Sequence, residues 1–314
     1  LYHTWNVKAI RPTEMYPYDY SKENYSNLGY VAEGVTTYLG DLFLVESGVK
    51  DFDWYKKTLE TSFQRHFDNF GRFNYSVAES SWDTWLDGYV AGAPNRKVSI
   101  YNEGAILSMI TDLMIRNSSN NKESIHSVMK DLYKNYALKG NGYSEKNFQT
   151  VVEHYYGESL QEYFENYYRG THSYEPILVE ALGYTGLEVN MSANSNFAQA
   201  IAGVKTLEVG EKTVIKQVYP GSTAELGGLM LEDIIVELND EKVEKNLSDL
   251  VEKFQDDELR FKVLRMGREL DLKCPHTNKS YFPSYSIVKS KAPSNLAKRI
   301  FKKWCGCDWD ETSF

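Results

Sequence analysis

The chain has 314 residues, 42% hydrophobic and 25% charged, proportions that suit a soluble globular protein of about two domains. A net charge of -9 argues against a nucleic-acid-binding surface, and no run of eighteen apolar residues offers a membrane span. An aromatic content of 14%, with 24 tyrosines, suits large half-buried surfaces or substrate grooves.

Residues 1 to about 12 read as the end of a helix, stopped at Arg11-Pro12 because a residue before proline is pushed out of the α region. A Tyr-rich connection through Tyr16, Pro17, Tyr18, Asp19 and Tyr20 follows. Val31, Val35, Tyr38, Leu39, Leu42, Phe43 and Val45 then recur at helical spacing up to Gly48, which suits the position just past a helix end. Glu33 falls in the first turn of that helix, thirty residues after His3. Taken singly, a histidine near a terminus and a glutamate in a first turn are both ordinary. Taken together, on two helices packed antiparallel, they are two donors able to face one metal ion.

The stretches His3-Thr4-Trp5-Asn6-Val7-Lys8 and Ala32-Glu33-Gly34-Val35-Thr36-Thr37-Tyr38 resemble the glycyl aminopeptidase family of zinc metallopeptidases, family sixty-one of the thermolysin-like clan. That family's signature is H-E-x-x-H-T-W-N-V-K, and the sequence starts just after its His-Glu pair. The resemblance implies that His3 is the second imidazole ligand of a Zn²⁺ ion and Glu33 the third protein ligand, with one position open for water or substrate. It also implies that the first imidazole and the general base lie ahead of Leu1. The zinc site is therefore incomplete in this chain, which on its own is expected to bind zinc weakly and to be inactive. Zinc-bound histidines usually pass their other nitrogen to a carboxylate. Thr37 stands one turn after Glu33 where related peptidases often have Asp, so Asp41, Glu14 and Asp19 remain open as partners.

Further along, an amphipathic helix is expected from Trp54 to Phe67. Ser76 to Leu86 is similar to a block of the same family, and Ser99-Ile100-Tyr101-Asn102-Glu103-Gly104-Ala105 opens a strong helix through Ile106, Met109, Ile110, Leu113 and Met114. Related aminopeptidases place a Tyr ahead of Lys-Gly here to hydrogen-bond the developing oxyanion, so the resemblance gives Tyr101 that role. The usual Lys is Glu103 in this chain. Helices are also expected over 123–138, from an N-cap at Ser144 to Tyr156, and over 158–168. His126 and His154 read as core or surface histidines.

At Gly170 the pattern changes from period 3.6 to period 2. Ile177, Val179 and Leu182 lead into 182–189. Strands are expected at 213–219, 232–239, 259–265 and 269–273, with a helix near 248–254. The blocks Gly221-Ser222-Thr223-Ala224 and Asp233-Ile234-Ile235 resemble a bacterial PDZ domain, which holds an extended peptide against a strand edge and its terminal carboxylate on the backbone of a Gly-containing loop. Tyr184-Thr185-Gly186-Leu187 fits that loop's pattern, and the domain serves either as an open groove or as a packed lid. Residues 293–304 form a basic amphipathic helix that attaches to a membrane surface or docks on the body by Leu296, Ile300, Phe301 and Trp304. Cys274, Cys305 and Cys307 lack the spacing of a structural zinc site. Cys305-Gly306-Cys307 is a redox pair or two incidental thiols, and the compartment stays open.

The expected fold is thus α+β. A mainly α-helical, thermolysin-like catalytic subdomain (1–173) is followed by a small β-rich PDZ-like domain (174–275) and a tail (276–314). The expected function is that of the C-terminal part of a zinc-dependent aminopeptidase acting on peptides with N-terminal Gly or Ala. Its partners are a peptide substrate and peptide C-termini at the PDZ-like domain. The rival reading is a peptide-binding PDZ module on a catalytically silent helical scaffold.

Overall fold

The structure, a computed structural model, describes residues 2–87 and 93–312 and forms two compact units, Leu1–Asn190 with Ser286–Phe314, and Met191–Tyr285. The first unit is built on helices α1 (Thr36–Glu46), α2 (Phe52–Asp68), α3 (Val77–Trp82), α4 (Ile100–Ser118), α5 (Ile125–Asn135), α6 (Glu145–Tyr156), α7 (Glu175–Gly183) and α9 (Asn295–Cys305). The second contains α8 (Leu247–Lys253) and most of the β structure. No helix among the described residues is long and apolar enough to cross a membrane.

Helix α4 is the axis of the first unit. Ser99 caps it by accepting from the Asn102 N–H, and it is buried along nearly its whole length. The segment ahead of α1, Tyr30–Val35, is a π-helix that runs without a break into α1. The two helices meet backbone to backbone. A Cβ placed on Gly34 would stand 2.4 Å from the Gly104 Cα, and one on Gly104 would stand 2.7 Å from the Tyr30 carbonyl oxygen. Only glycine at both positions permits that approach.

One buried polar network ties this core together. The Asp112 carboxylate, fully buried, accepts from the Tyr38 hydroxyl (2.6 Å), the Arg116 Nε (3.0 Å) and the Ile125 N–H (2.8 Å). Trp304 of α9 donates its indole N–H to the Tyr38 hydroxyl at 2.8 Å. Helix α9 lies on this core by Ala297, Ile300, Phe301 and Trp304, all buried, while Leu296 is only partly covered.

Several elements differ from expectation. Residues 2–12 hold one 3₁₀ turn, Tyr2–Thr4, rather than a helix end. The chain then runs past Tyr143, whose N–H donates to the Arg11 carbonyl and whose carbonyl accepts from the Thr13 N–H. Over 158–168 a three-residue helical stretch, Gln161–Tyr163, passes into a π-helix, Phe164–Tyr168. Residues 175–183, expected as a lead-in to the β region, form α7, with Pro176 at its start and Leu178, Ala181 and Leu182 buried at helical spacing. The edges of the units therefore lie elsewhere than 173 and 275. Helix α7 and the last helix belong to the first unit because their apolar faces are buried there.

In the second unit β2 (Val204–Val209), β3 (Lys212–Val218), β4 (Ile234–Leu238), β6 (Leu259–Arg265) and β7 (Arg268–Cys274) make an antiparallel sheet in the order β2-β3-β4-β6-β7. The short β5 (Glu241–Lys242) pairs with β4. Ile215, Ile235, Leu238, Phe261 and Val263 form its core with Leu250 and Val251 of α8. Asp233, fully buried, is gripped on both oxygens by Arg265 at 2.7 Å and accepts from the Met230 N–H at 2.9 Å. The remaining strands, β1 (Leu187–Ser192) and β8 (Ser284–Lys289), form a two-stranded sheet.

The Asp112→Ala substitution would leave the buried Arg116 guanidinium without its counter-ion. It is expected to lower stability by about 3–5 kcal/mol in urea titrations. A loss below about 1 kcal/mol would show that water, not Asp112, satisfies that charge.

Candidate functional site

The front of the chain folds back on the π-helix through a single buried amide. Asn6, with no exposed surface, donates its side-chain N–H₂ to the Val31 carbonyl (2.8 Å), to the Ala32 carbonyl (3.4 Å) and to the Thr36 hydroxyl (3.1 Å). The Thr36 hydroxyl lies within bonding distance of the Asn6 carbonyl (3.1 Å) and the Ala32 carbonyl (2.7 Å). The 3₁₀ turn carrying His3 is thereby fixed against the helical turn carrying Glu33.

His3 Nδ1 lies 2.9 Å from the Asn6 carbonyl oxygen, which can only accept, so Nδ1 is the donor there and Nε2 is the nitrogen left to face a metal ion. Nε2 stands 3.3 Å from Glu33 Oε2, the imidazole half exposed and the carboxylate about one quarter exposed. The nitrogen's partner is thus a backbone carbonyl, not any of the carboxylates considered from sequence. Glu14 engages the Ser26 hydroxyl, and Asp19 engages Ser21. A neutral imidazole with its far nitrogen engaged, and a carboxylate beside it, is the donor chemistry a zinc ion takes. The gap also fits, since two donors at about 2.0–2.1 Å from one tetrahedral ion lie ~3.3 Å apart. Among the described residues no group of three or more His, Cys, Asp or Glu is placed to hold a metal, so this chain offers two donors.

One turn beyond Glu33 a cleft of about 630 Å³ opens between α1, α2 and the start of α4. Thr37 and Asp41 line it from α1, Lys57 and Arg65 from α2, and Tyr101 and Asn102 from α4. Burial raises the pKa of the Asp41 carboxyl. Tyr101 stands in the cleft wall, whereas His3 and Glu33 are not among the lining residues. Thr37 links the two places, its hydroxyl donating to the Glu33 carbonyl at 2.8 Å.

Glu103, at the position where related enzymes have Lys, is almost wholly buried, and its carboxylate meets His66 Nδ1 at 2.5 Å. His66 in turn stacks on Tyr174, the ring planes 11° apart. Asn102 bonds both the hydroxyl and the carbonyl of Ser62. These contacts lock the mouth of α4 onto α2 and so set the wall from which Tyr101 projects.

Tyr184, Thr185, Gly186 and Leu187 lie in the first unit, not in the sheet unit. Their backbone donors are used locally: Thr185 N–H bonds the Leu182 carbonyl, and Gly186 N–H bonds the Gly183 carbonyl. Thr185 and Leu187 are fully buried, and Trp309 donates to the Gly186 carbonyl at 3.2 Å. No carboxylate can be held there. In the sheet unit the same apolar-x-Gly-apolar pattern recurs at Ile201-Ala202-Gly203-Val204, directly ahead of edge strand β2. Gly203 has φ +76°, and a Cβ on it would strike the Ser222 Cβ at 2.3 Å.

A helical unit shaped like an aminopeptidase, combined with a PDZ-type sheet, is the class the fold defines. A solved aminopeptidase N family protein from Idiomarina loihiensis has the same fold, with a TM-score of 0.85 and 25% identity over 97% of this chain. This chain spans 53% of that one, about half its length. Residues 1–107 match the family model of M61 glycyl aminopeptidase and residues 214–265 that of the PDZ domain. The solved HtrA3 PDZ domain, bound to a phage-derived ligand, is similar at 19% identity over 33% of this chain and 93% of that one, with a TM-score of 0.21. No curated relative matches.

The clamp made by Asn6 is testable through its amide. Asn6→Ala is expected to cost about 1–3 kcal/mol in chemical unfolding, since buried carbonyls lose their donor. Asn6→Asp should cost at least as much, because it sets a carboxylate against the Val31 and Ala32 carbonyls. A harmless Asp would mean that the amide nitrogen does not face those carbonyls.

Proposed function

We propose that this chain supplies two protein ligands, His3 and Glu33, and the oxyanion donor, Tyr101, of a zinc-dependent aminopeptidase that releases small N-terminal residues such as Gly or Ala from peptides. The observation that carries the proposal is the pairing of His3 Nε2 with Glu33 Oε2 at 3.3 Å while Nδ1 is committed to the Asn6 carbonyl. When bound, zinc polarises the scissile carbonyl and lowers the pKa of a water molecule. The Asn6 carbonyl engages His3 Nδ1, so that Nε2 is the nitrogen turned to the metal. Glu33 offers a carboxylate oxygen on the same side. Tyr101, in the wall of the cleft, donates its phenolic O–H to the substrate carbonyl oxygen as charge gathers there. The family match over residues 1–107 supports the reaction class, and the preference for Gly or Ala rests on that likeness. With two donors, the chain on its own binds zinc weakly and leaves peptides intact.

A second reading, peptide capture by the PDZ unit on a silent scaffold, draws on β2. Among the described residues this strand pairs only with β3, and its Leu207 and Val209 are exposed on one face. An extended peptide adds to such an edge.

Calorimetric titration of Zn²⁺ into the chain is expected to show weak binding that Glu33→Ala reduces by tenfold or more. Unchanged affinity would remove Glu33 from the ligand set. In the full-length protein Tyr101→Phe is expected to cut turnover by about 10²–10³ with zinc content unaltered; undiminished turnover would end the role given to Tyr101. Full-length protein that binds C-terminal peptides yet cleaves neither Gly- nor Ala-initiated peptides would favour the silent scaffold.

A further inference from the structure

The chain's last helix ends on two cysteines that the peptidase reading does not use. Cys305 is the final residue of α9 and is buried, its thiol 3.0 Å from the Phe301 carbonyl. Gly306 follows with φ +72°, and its N–H bonds the Lys302 carbonyl to close the helix. That left-handed residue turns the chain back on itself, as at many helix ends. Cys307 is thereby folded over Cys305, with the two sulfurs 3.7 Å apart. The spacing Cys-Gly-Cys thus acquires a physical role: a side chain at position 306 would strain the reversal that brings the thiols together.

The two sulfurs differ in environment. Cys305 is packed within the first unit, and burial pushes its thiol pKa far up, so it stays protonated and serves as a hydrogen-bond donor. Cys307 is half-buried, its sulfur 3.7 Å from that of Cys305 and 3.6 Å from the Thr312 hydroxyl, which also donates to the Asp308 carbonyl at 2.7 Å. The contacts with Cys305 and Thr312 outweigh desolvation and the charges of Asp308 and Asp53, and lower its pKa to about 6. An open cleft of about 490 Å³, lined by Lys50, Phe52, Asp53, Cys305, Cys307 and Asp308, admits a small reagent. No third metal-ligating side chain joins the pair among the described residues, which leaves thiol chemistry as the use for two adjacent sulfurs.

We propose that Cys305 and Cys307 form a reversible redox pair that responds to hydroperoxides. The Cys307 thiolate attacks the distal oxygen of the hydroperoxide. The O–O bond breaks, the alcohol (or water, from hydrogen peroxide) leaves after taking a proton, and Cys307 becomes a sulfenic acid. The Cys305 sulfur then attacks the Cys307 sulfur. The S–S bond forms as the S–O bond breaks, and the thiol proton of Cys305 leaves with the hydroxide as water. Two thiols have given two electrons to one peroxide. The sulfurs close from 3.7 Å to about 2.05 Å as the bond forms. A dithiol reductant returns the pair to the starting state by exchange.

The experiment treats reduced native protein with one equivalent of hydrogen peroxide and counts free thiols. Two of the three cysteines are expected to be lost, peptide mapping should find an intrachain Cys305–Cys307 link, and dithiothreitol should restore both. Cys274, buried in the second unit with its pKa pushed up to about 12, should remain reduced. In Cys305→Ser the sulfenic acid on Cys307 should persist and be trapped by dimedone, whereas Cys307→Ser should lose no thiol at this dose. Retention of all three thiols, loss only as links between chains, or equal thiol loss in Cys307→Ser would overturn the proposal. None of these readouts depends on zinc or on peptide hydrolysis, so the pair stands or falls apart from the peptidase reading.

Discussion

The contact between Gly34 and Gly104 sets the geometry of the first unit. Two helix backbones that touch leave no room for a side chain between them, so their mutual position is fixed by the covalent chain rather than by packing that can relax. One of these helices begins with the turn bearing Glu33, and the other begins with the turn bearing Tyr101. The crossing therefore sets the distance between these two turns, and the buried Asp112–Arg116–Tyr38 network holds the same two helices together further along. Polar groups are costly inside such a core unless every one is met, and here Asp112 accepts three hydrogen bonds.

Most of the helical unit was legible because its signals are local. Ser99, Ser144 and Ser294 each cap the helix expected after them, and the apolar spacing of α2, α4 and α6 matches what is buried. What sequence could not supply was anything decided by close approach at long range. Gly34 and Gly104 look like weak helix residues until the partner backbone is seen. Glu103 looked like a lost cation, yet it is the buried partner of His66, a histidine 37 residues earlier with no local clue to the pairing. Helix α7 was misread because Ile177 and Val179 suggest alternation, whereas Leu178, Ala181 and Leu182 are the residues that face inward.

The site shows the same division. His3 and Glu33 were legible as a motif, and the structure sets them face to face. Asn6 stood inside the quoted motif without a role, because a buried amide that ties a turn to carbonyls 25 residues away has no signature at short range. The loop assigned at Tyr184–Leu187 failed for a related reason. Four residues can match a pattern anywhere, but only backbone donors left unspent can receive a carboxylate, and these are already spent.

The π-helix at Tyr30–Val35 carries a consequence for how this chain tolerates length changes. Its wider turn holds one residue more than an α-helical turn would over the same rise, and the Val31 and Ala32 carbonyls that accept from Asn6 lie within it. Deleting Gly34 or Val35, between Glu33 and α1, would let the segment relax to ordinary α geometry and swing what precedes it by about 100° around the axis. Glu33 would then turn away from His3 while the remainder of α1 stayed in place. A shortened homologue could keep both His3 and Glu33 in its sequence and still have lost their pairing.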